Sequence, residues 1–149
     1  MAFKLWHLPL RAATGAYILD SGLQKQSADE ETARSLHGFA TAAYPELEAM
    51  PPERFASMLS TGEIAVGSLL LAPLVPTSVA GLALTTFAAL LGRLYLKAPG
   101  LREEGSLRPT QQGIPVAKDV WLLAIGTALA IDGMAERRGR RRRARAGTS

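Results

Sequence analysis

Six charged residues in this chain of 149 stand where charge is costly: Asp20, Lys25, Glu63, Arg93, Lys118 and Asp119. Each lies inside, or at the edge of, a strongly apolar stretch. Moving an ion into a nonpolar medium costs several kcal/mol unless it is paired or hydrated. Three acids and three bases allow mutual pairing, so the set predicts a polar cluster or small cavity. Such a cluster can bind a polar head group, such as that of a quinone or a small acid, or carry a proton path. The plainer alternative is an ion-pair network that fixes helix register, with Lys25, Lys118 and Asp119 as ordinary interfacial charges. Glu63 is the strongest candidate, because apolar residues follow it and it lies deepest in its stretch.

Other chemistries find little support. There is no cysteine, so thiol exchange, disulfides and sulfur ligation of metals are excluded. His7 and His37 are 30 positions apart and form no HxxxH or HExxH pattern, and no metal is expected. Neither a Gly-x-Ser-x-Gly elbow nor a glycine-rich phosphate loop is present. No cofactor motif is evident.

Charge is segregated along the chain. Residues 136–148 carry seven arginines: Arg137, Arg138, Arg140, Arg141, Arg142, Arg143 and Arg145. Residues 75–92 carry no charge at all, although 20% of the chain is charged and 48% is hydrophobic. Such blocks predict apolar membrane helices joined by polar loops. The arginine run has the charge density to bind nucleic acid through phosphates, but it has no aromatic residue to stack on bases. Next to a membrane span it fits anionic lipid head groups better, each charge contributing about 1 kcal/mol.

The elements that must position the six charges follow from hydropathy and punctuation. Spans are predicted over 5–24, 53–74, 77–96 and 116–133; about 20 residues at 1.5 Å each cover the roughly 30 Å of hydrocarbon. Arg11, inside the first, is expected to snorkel toward the interface marked by Trp6 and His7. Between the first two spans, Ser27-Ala28-Asp29-Glu30 opens a short amphipathic helix carrying Ala33, Leu36, Phe39 and Ala40 and ending near Tyr44-Pro45. Pro73 and Pro76 bracket a tight turn, which implies an antiparallel pair. Gly15, Gly62, Gly67, Gly81 and Gly126 suit close approach of helix backbones. The fold class is therefore all-α: a four-helix transmembrane bundle over 1–134, with a short extramembrane amphipathic helix and a disordered basic tail over 135–149.

Positive charge beside a span is retained in the cytoplasm. The arginine tail thus places the C-terminus inside, and an even number of spans places the N-terminus there too. Lys97, Arg102 and Arg108 in the last outward loop pull the other way but are outnumbered. In this topology all six candidate charges gather in the outer leaflet.

The run Leu10-Arg11-Ala12-Ala13-Thr14-Gly15-Ala16-Tyr17-Ile18, then Ser21-Gly22-Leu23-Gln24-Lys25, with Gly62-Glu63-Ile64-Ala65-Val66-Gly67 before Leu69-Leu70-Leu71 in the second span, resembles the DoxX-like family of small bacterial membrane proteins. The likeness covers about 5–134 and excludes the tail. It implies a multi-pass protein of the bacterial inner membrane with no catalytic residue to carry over. Some members are similar to membrane subunits of thiosulfate:quinone oxidoreductases. The expectation is therefore an accessory or scaffold subunit of an inner-membrane complex, redox-linked through other membrane subunits, rather than an independent enzyme. The alternatives are a small-molecule or proton transporter that uses the charge cluster, and an oxidoreductase subunit that contacts a quinone.

Overall fold

The structure, a computed structural model, describes residues 4–146. It is all-helical, and the described residues contain no strand beyond an isolated bridge between Arg102 and Pro109. Helix α1 covers His7–Gln26, α2 Glu30–Ala43, α3 Pro52–Leu71 and α4 Thr77–Lys97. A single turn, α5, covers Ile114–Ala117, and α6 runs over Val120–Ala146.

Local chemistry sets most of these boundaries. Asp29 caps α2, its carboxylate accepting from the Thr32 amide at 2.8 Å, and Glu30 and Glu31 occupy the first turn, where the helix dipole favours acids. The hydrogen bond from Thr32 holds the Asp29 carboxyl below its usual range. Pro52 opens α3, where its missing N–H costs nothing. Pro73 stops α3, because the residue before a proline is driven out of helical geometry. Only five residues, 72–76, then turn the chain into α4.

Helices α1, α3, α4 and α6 pack as two antiparallel pairs, α1 with α3 and α4 with α6. Glycine permits both contacts. A Cβ on Gly67 would fall 2.7 Å from the Leu19 amide of α1, and one on Gly126 would fall 2.7 Å from the Thr85 amide of α4. Gly15 and Gly81 sit at the same seams, as the sequence suggested, whereas Gly62 has nothing within 4 Å and faces away. Gly22 and Gly133, with no such role in the sequence reading, also lie at backbone contacts. Between the pairs is a small core of Ile18, Leu70, Ala80, Leu84, Ala88, Leu122 and Leu129. Helix α2 lies across α3 and α4, tied down where the Tyr44 hydroxyl donates to the Leu90 carbonyl at 2.9 Å.

Much of the apolar surface is turned outward. The windows Thr77–Lys97 and Ile114–Arg140 are long and apolar enough to cross a membrane, yet only 22% of each is buried. Leu74, Leu82, Leu90, Trp121 and Ile131 are among the exposed apolar side chains.

One expectation is corrected outright. The basic stretch expected to be disordered from 135 is helical, and α6 continues through it to Ala146. Arginine is a good helix former, the helix is already nucleated by its apolar part, and cations near a helix C-terminus interact favourably with the dipole. Residues 147–149 of that stretch lie outside the described residues.

Candidate functional site

The six charges divide. Lys25, in the last turn of α1, and Glu63, in mid α3, form a direct ion pair at 2.9 Å, and Glu63 is only 6% exposed. The pair forms because Gly22 lets α3 approach: a Cβ there would meet that of Glu63 at 2.9 Å. Lys25 also donates to the Ser21 hydroxyl at 2.7 Å, and the buried Ser60 hydroxyl donates to the Gly22 carbonyl at 2.8 Å. Asp119, half-buried at the start of α6, lies close enough to interact with the charges of both Glu63 and Lys25. These three residues, from α1, α3 and the turn before α6, bring two carboxyl groups and one ammonium together.

The other three point elsewhere. Asp20 is exposed and accepts from Gln24 one turn along the same helix. Arg93 lies over the Tyr44 ring at 4.3 Å, a cation–π contact that helps to dock α2. Lys118 is exposed beside Asp119. The predicted cluster of six is thus reduced to three residues, of which Glu63 alone is buried, while Arg93 serves a different contact, on Tyr44.

A second polar cluster at the opposite end of the helices escaped the sequence reading. Both oxygens of the Asp132 carboxylate accept from the Lys4 ammonium, at 2.6 and 2.8 Å, and Oδ2 also accepts from His7 Nε2 at 2.9 Å. Glu136 adds a weaker contact to Lys4 at 3.6 Å. His7 is fully buried, its Nδ1 3.5 Å from the Thr77 hydroxyl. The hydrogen bond to Asp132 holds the Lys4 ammonium above its usual range. The signal was present in spacing: Lys4, His7 and Arg11 fall at three- and four-residue intervals on one face, and Asp132 and Glu136 are one turn apart on another.

Arg11 does not snorkel. It is 3% exposed and donates to the carbonyls of Leu69, Leu70, Ala72 and Val75 at 2.8–3.1 Å. Those carbonyls belong to the end of α3 and the turn after it, where the last helical acceptors have no backbone partner. A planar guanidinium with five donors can serve several of them together. The tail arginines Arg137, Arg138, Arg140 and Arg143 lie exposed on α6, and the side chains of Arg141, Arg142 and Arg145 lie outside the described residues. Among the described residues no group of three or more His, Cys, Asp or Glu is arranged to hold a metal ion.

No family model, curated protein or solved structure matches this chain.

Proposed function

We propose that this chain is a DoxX-like protein of the bacterial inner membrane that crosses the bilayer four times, through α1, α3, α4 and the apolar part of α6, with both termini cytoplasmic. The outward-facing apolar surface of α4 and α6 supports the membrane reading, since a soluble core helix of that hydropathy would be mostly buried. Within the membrane it acts as an accessory or scaffold subunit of a larger complex. The observation that carries the scaffold role is the Lys25–Glu63 pair, closed directly at 2.9 Å between α1 and α3. A pair satisfied within the protein fixes helix register and leaves its charges engaged. A redox-linked partner, or a quinone, enters the proposal through the family resemblance alone.

Purification from native membranes under mild detergent tests this role. A stable partner recovered at fixed stoichiometry is expected; recovery of the chain alone would defeat the scaffold reading. Reporter fusions at the C-terminus and in the 98–113 loop check the topology, with cytoplasmic and external signals expected respectively.

One observation favours a second reading, a proton or small-molecule transporter. Asp119, in the turn before α6, brings a second carboxylate near the Lys25–Glu63 pair. On that reading Asp119→Asn abolishes uptake by proteoliposomes while the protein remains folded. On the scaffold reading partner recovery is unchanged in that variant.

A further inference from the structure

The outer face of α6 has a feature that neither polar cluster uses. Ile131, Met134, Ala135, Arg138 and Gly139 line an open, shallow groove of about 550 Å³ on the surface of α6. Their spacing places them on one helical face over about 12 Å. Ile131 and Met134 supply an exposed apolar floor, Ala135 and Gly139 leave room above the backbone, and Arg138 stands toward the C-terminal end. No ion pair engages Arg138 among the described residues. Glu136 is turned roughly 160° away around the helix, toward Lys4.

Depth along the helix agrees with this polarity. Trp6 packs against His7, with ring centroids 4.1 Å apart, and His7 contacts Asp132. The half-exposed Trp6 therefore marks the level of Asp132, and tryptophan prefers the membrane interface. Arg138 lies six residues beyond, about 9 Å further out, where phosphates sit. Ile131 lies at the level of Trp6, and Met134 and Ala135 lie about 3–5 Å further out, beside the glycerol backbone that joins acyl chain to phosphate.

We infer that this groove seats one anionic phospholipid, its phosphate on Arg138, its glycerol backbone against Met134 and Ala135, and its acyl chain leaving past Ile131. Charge complementarity selects this occupant. A second copy packed through Ala135 and Gly139 in the same membrane orientation would set Arg138 and its neighbouring arginines against their own equivalents, whereas a lipid phosphate neutralises them. The inference rests on the proposal that α6 crosses the bilayer.

The test is native mass spectrometry of the full chain, released from micelles containing equal amounts of phosphatidylglycerol and phosphatidylcholine with the same acyl chains. One retained phosphatidylglycerol is expected, preferred about tenfold, the equivalent of one charge-assisted contact. Arg138→Gln loses the preference, and so does Ala135→Trp, which fills the groove without changing charge. Arg140→Gln, at nearly the same depth but on the opposite face, keeps it. Equal losses in the two arginine variants would reduce the effect to diffuse tail charge and overturn the seat. Undiminished binding by Ala135→Trp, or a dimer in place of the lipid adduct, would do the same. Carbonate extraction of the same membranes separates the two levels of the argument. Release into the supernatant removes the membrane reading itself, whereas retention with equal binding of both lipids removes only the seat.

Discussion

The two ends of the helices solve the problem of buried charge differently. At one end Lys25 and Glu63 join α1 to α3, two helices already packed along their length, and Asp119 adds a second carboxyl group beside them. At the other end Arg11 is consumed by backbone carbonyls, while Asp132 gathers Lys4 and His7. Helices α1 and α6 touch over only a short stretch. The Asp132 contacts therefore join one helix pair to the other, whereas the Lys25–Glu63 contact reinforces a seam that glycine already closes. One end is saturated and architectural; the other keeps a second carboxyl group that chemistry could use.

Arg11→Ala is the most severe way to break this contrast. It strands several carbonyls at the end of α3, and a loss of about 3–5 kcal/mol is expected, the scale for removing one partner of a buried charged group. Thermal unfolding in detergent measures it. A change below about 1 kcal/mol would mean that water serves those carbonyls equally well.

Next in size is Glu63→Gln, at about 2–3 kcal/mol, because Lys25 is left partly buried without its counter-charge. The double variant Lys25→Met, Glu63→Met should recover most of that loss, since a well-packed apolar pair can replace a buried ion pair. A double variant no more stable than the single one would show that the charges bind something beyond each other.

Asp132→Asn should cost about 1 kcal/mol, a value reduced for solvent screening at its partly exposed carboxylate. Its sharper readout is geometric: spin labels on the exposed ends of α1 and α6 are expected to show a broadened distance distribution. An unchanged distribution would transfer the joining role to apolar contacts.

The smallest effect concerns the α2 cap. The Asp29 carboxyl is held below its ordinary value of 3.8 by its bond from Thr32, so its contribution is present above that pH and fades as pH falls through the folded value. Asp29→Ala should lower α2 helicity near neutrality, with the difference from the wild type closing under acid. A gap in amide exchange that persists at acid pH would argue against the cap as its cause.

Much of this was legible in the residues themselves. Prolines 51, 52, 73 and 76 marked helix boundaries, Asp29 marked a cap, and the apolar runs placed the first three long helices within a few positions of those found, while the fourth runs 13 residues past its predicted end. Glu63 stood out because apolar residues follow it within its stretch, whereas its pairing with Lys25 in particular was one of several that six charges allowed. Asp132 is just as isolated within the apolar 116–133 stretch, but its partners Lys4 and His7 lie near the other end of the chain, and nothing local pairs residues so distant in sequence. Arg93 was misplaced because hydropathy gives depth along a helix but not the direction a side chain faces.

What the sequence by itself determined is local: where helices start and stop, which stretches are apolar, and how charge is distributed along the chain. These follow from propensity, proline and period, which act over a few residues. Only the tertiary structure decided that Arg11 turns inward to serve α3, that Lys4 and His7 meet Asp132 across more than 120 positions, and that Arg93 rests on Tyr44. Such contacts depend on how each helix is rotated about its axis. That rotation is set by the glycine seams between α1 and α3 and between α4 and α6, where the absence of a Cβ on one helix lets the other come close.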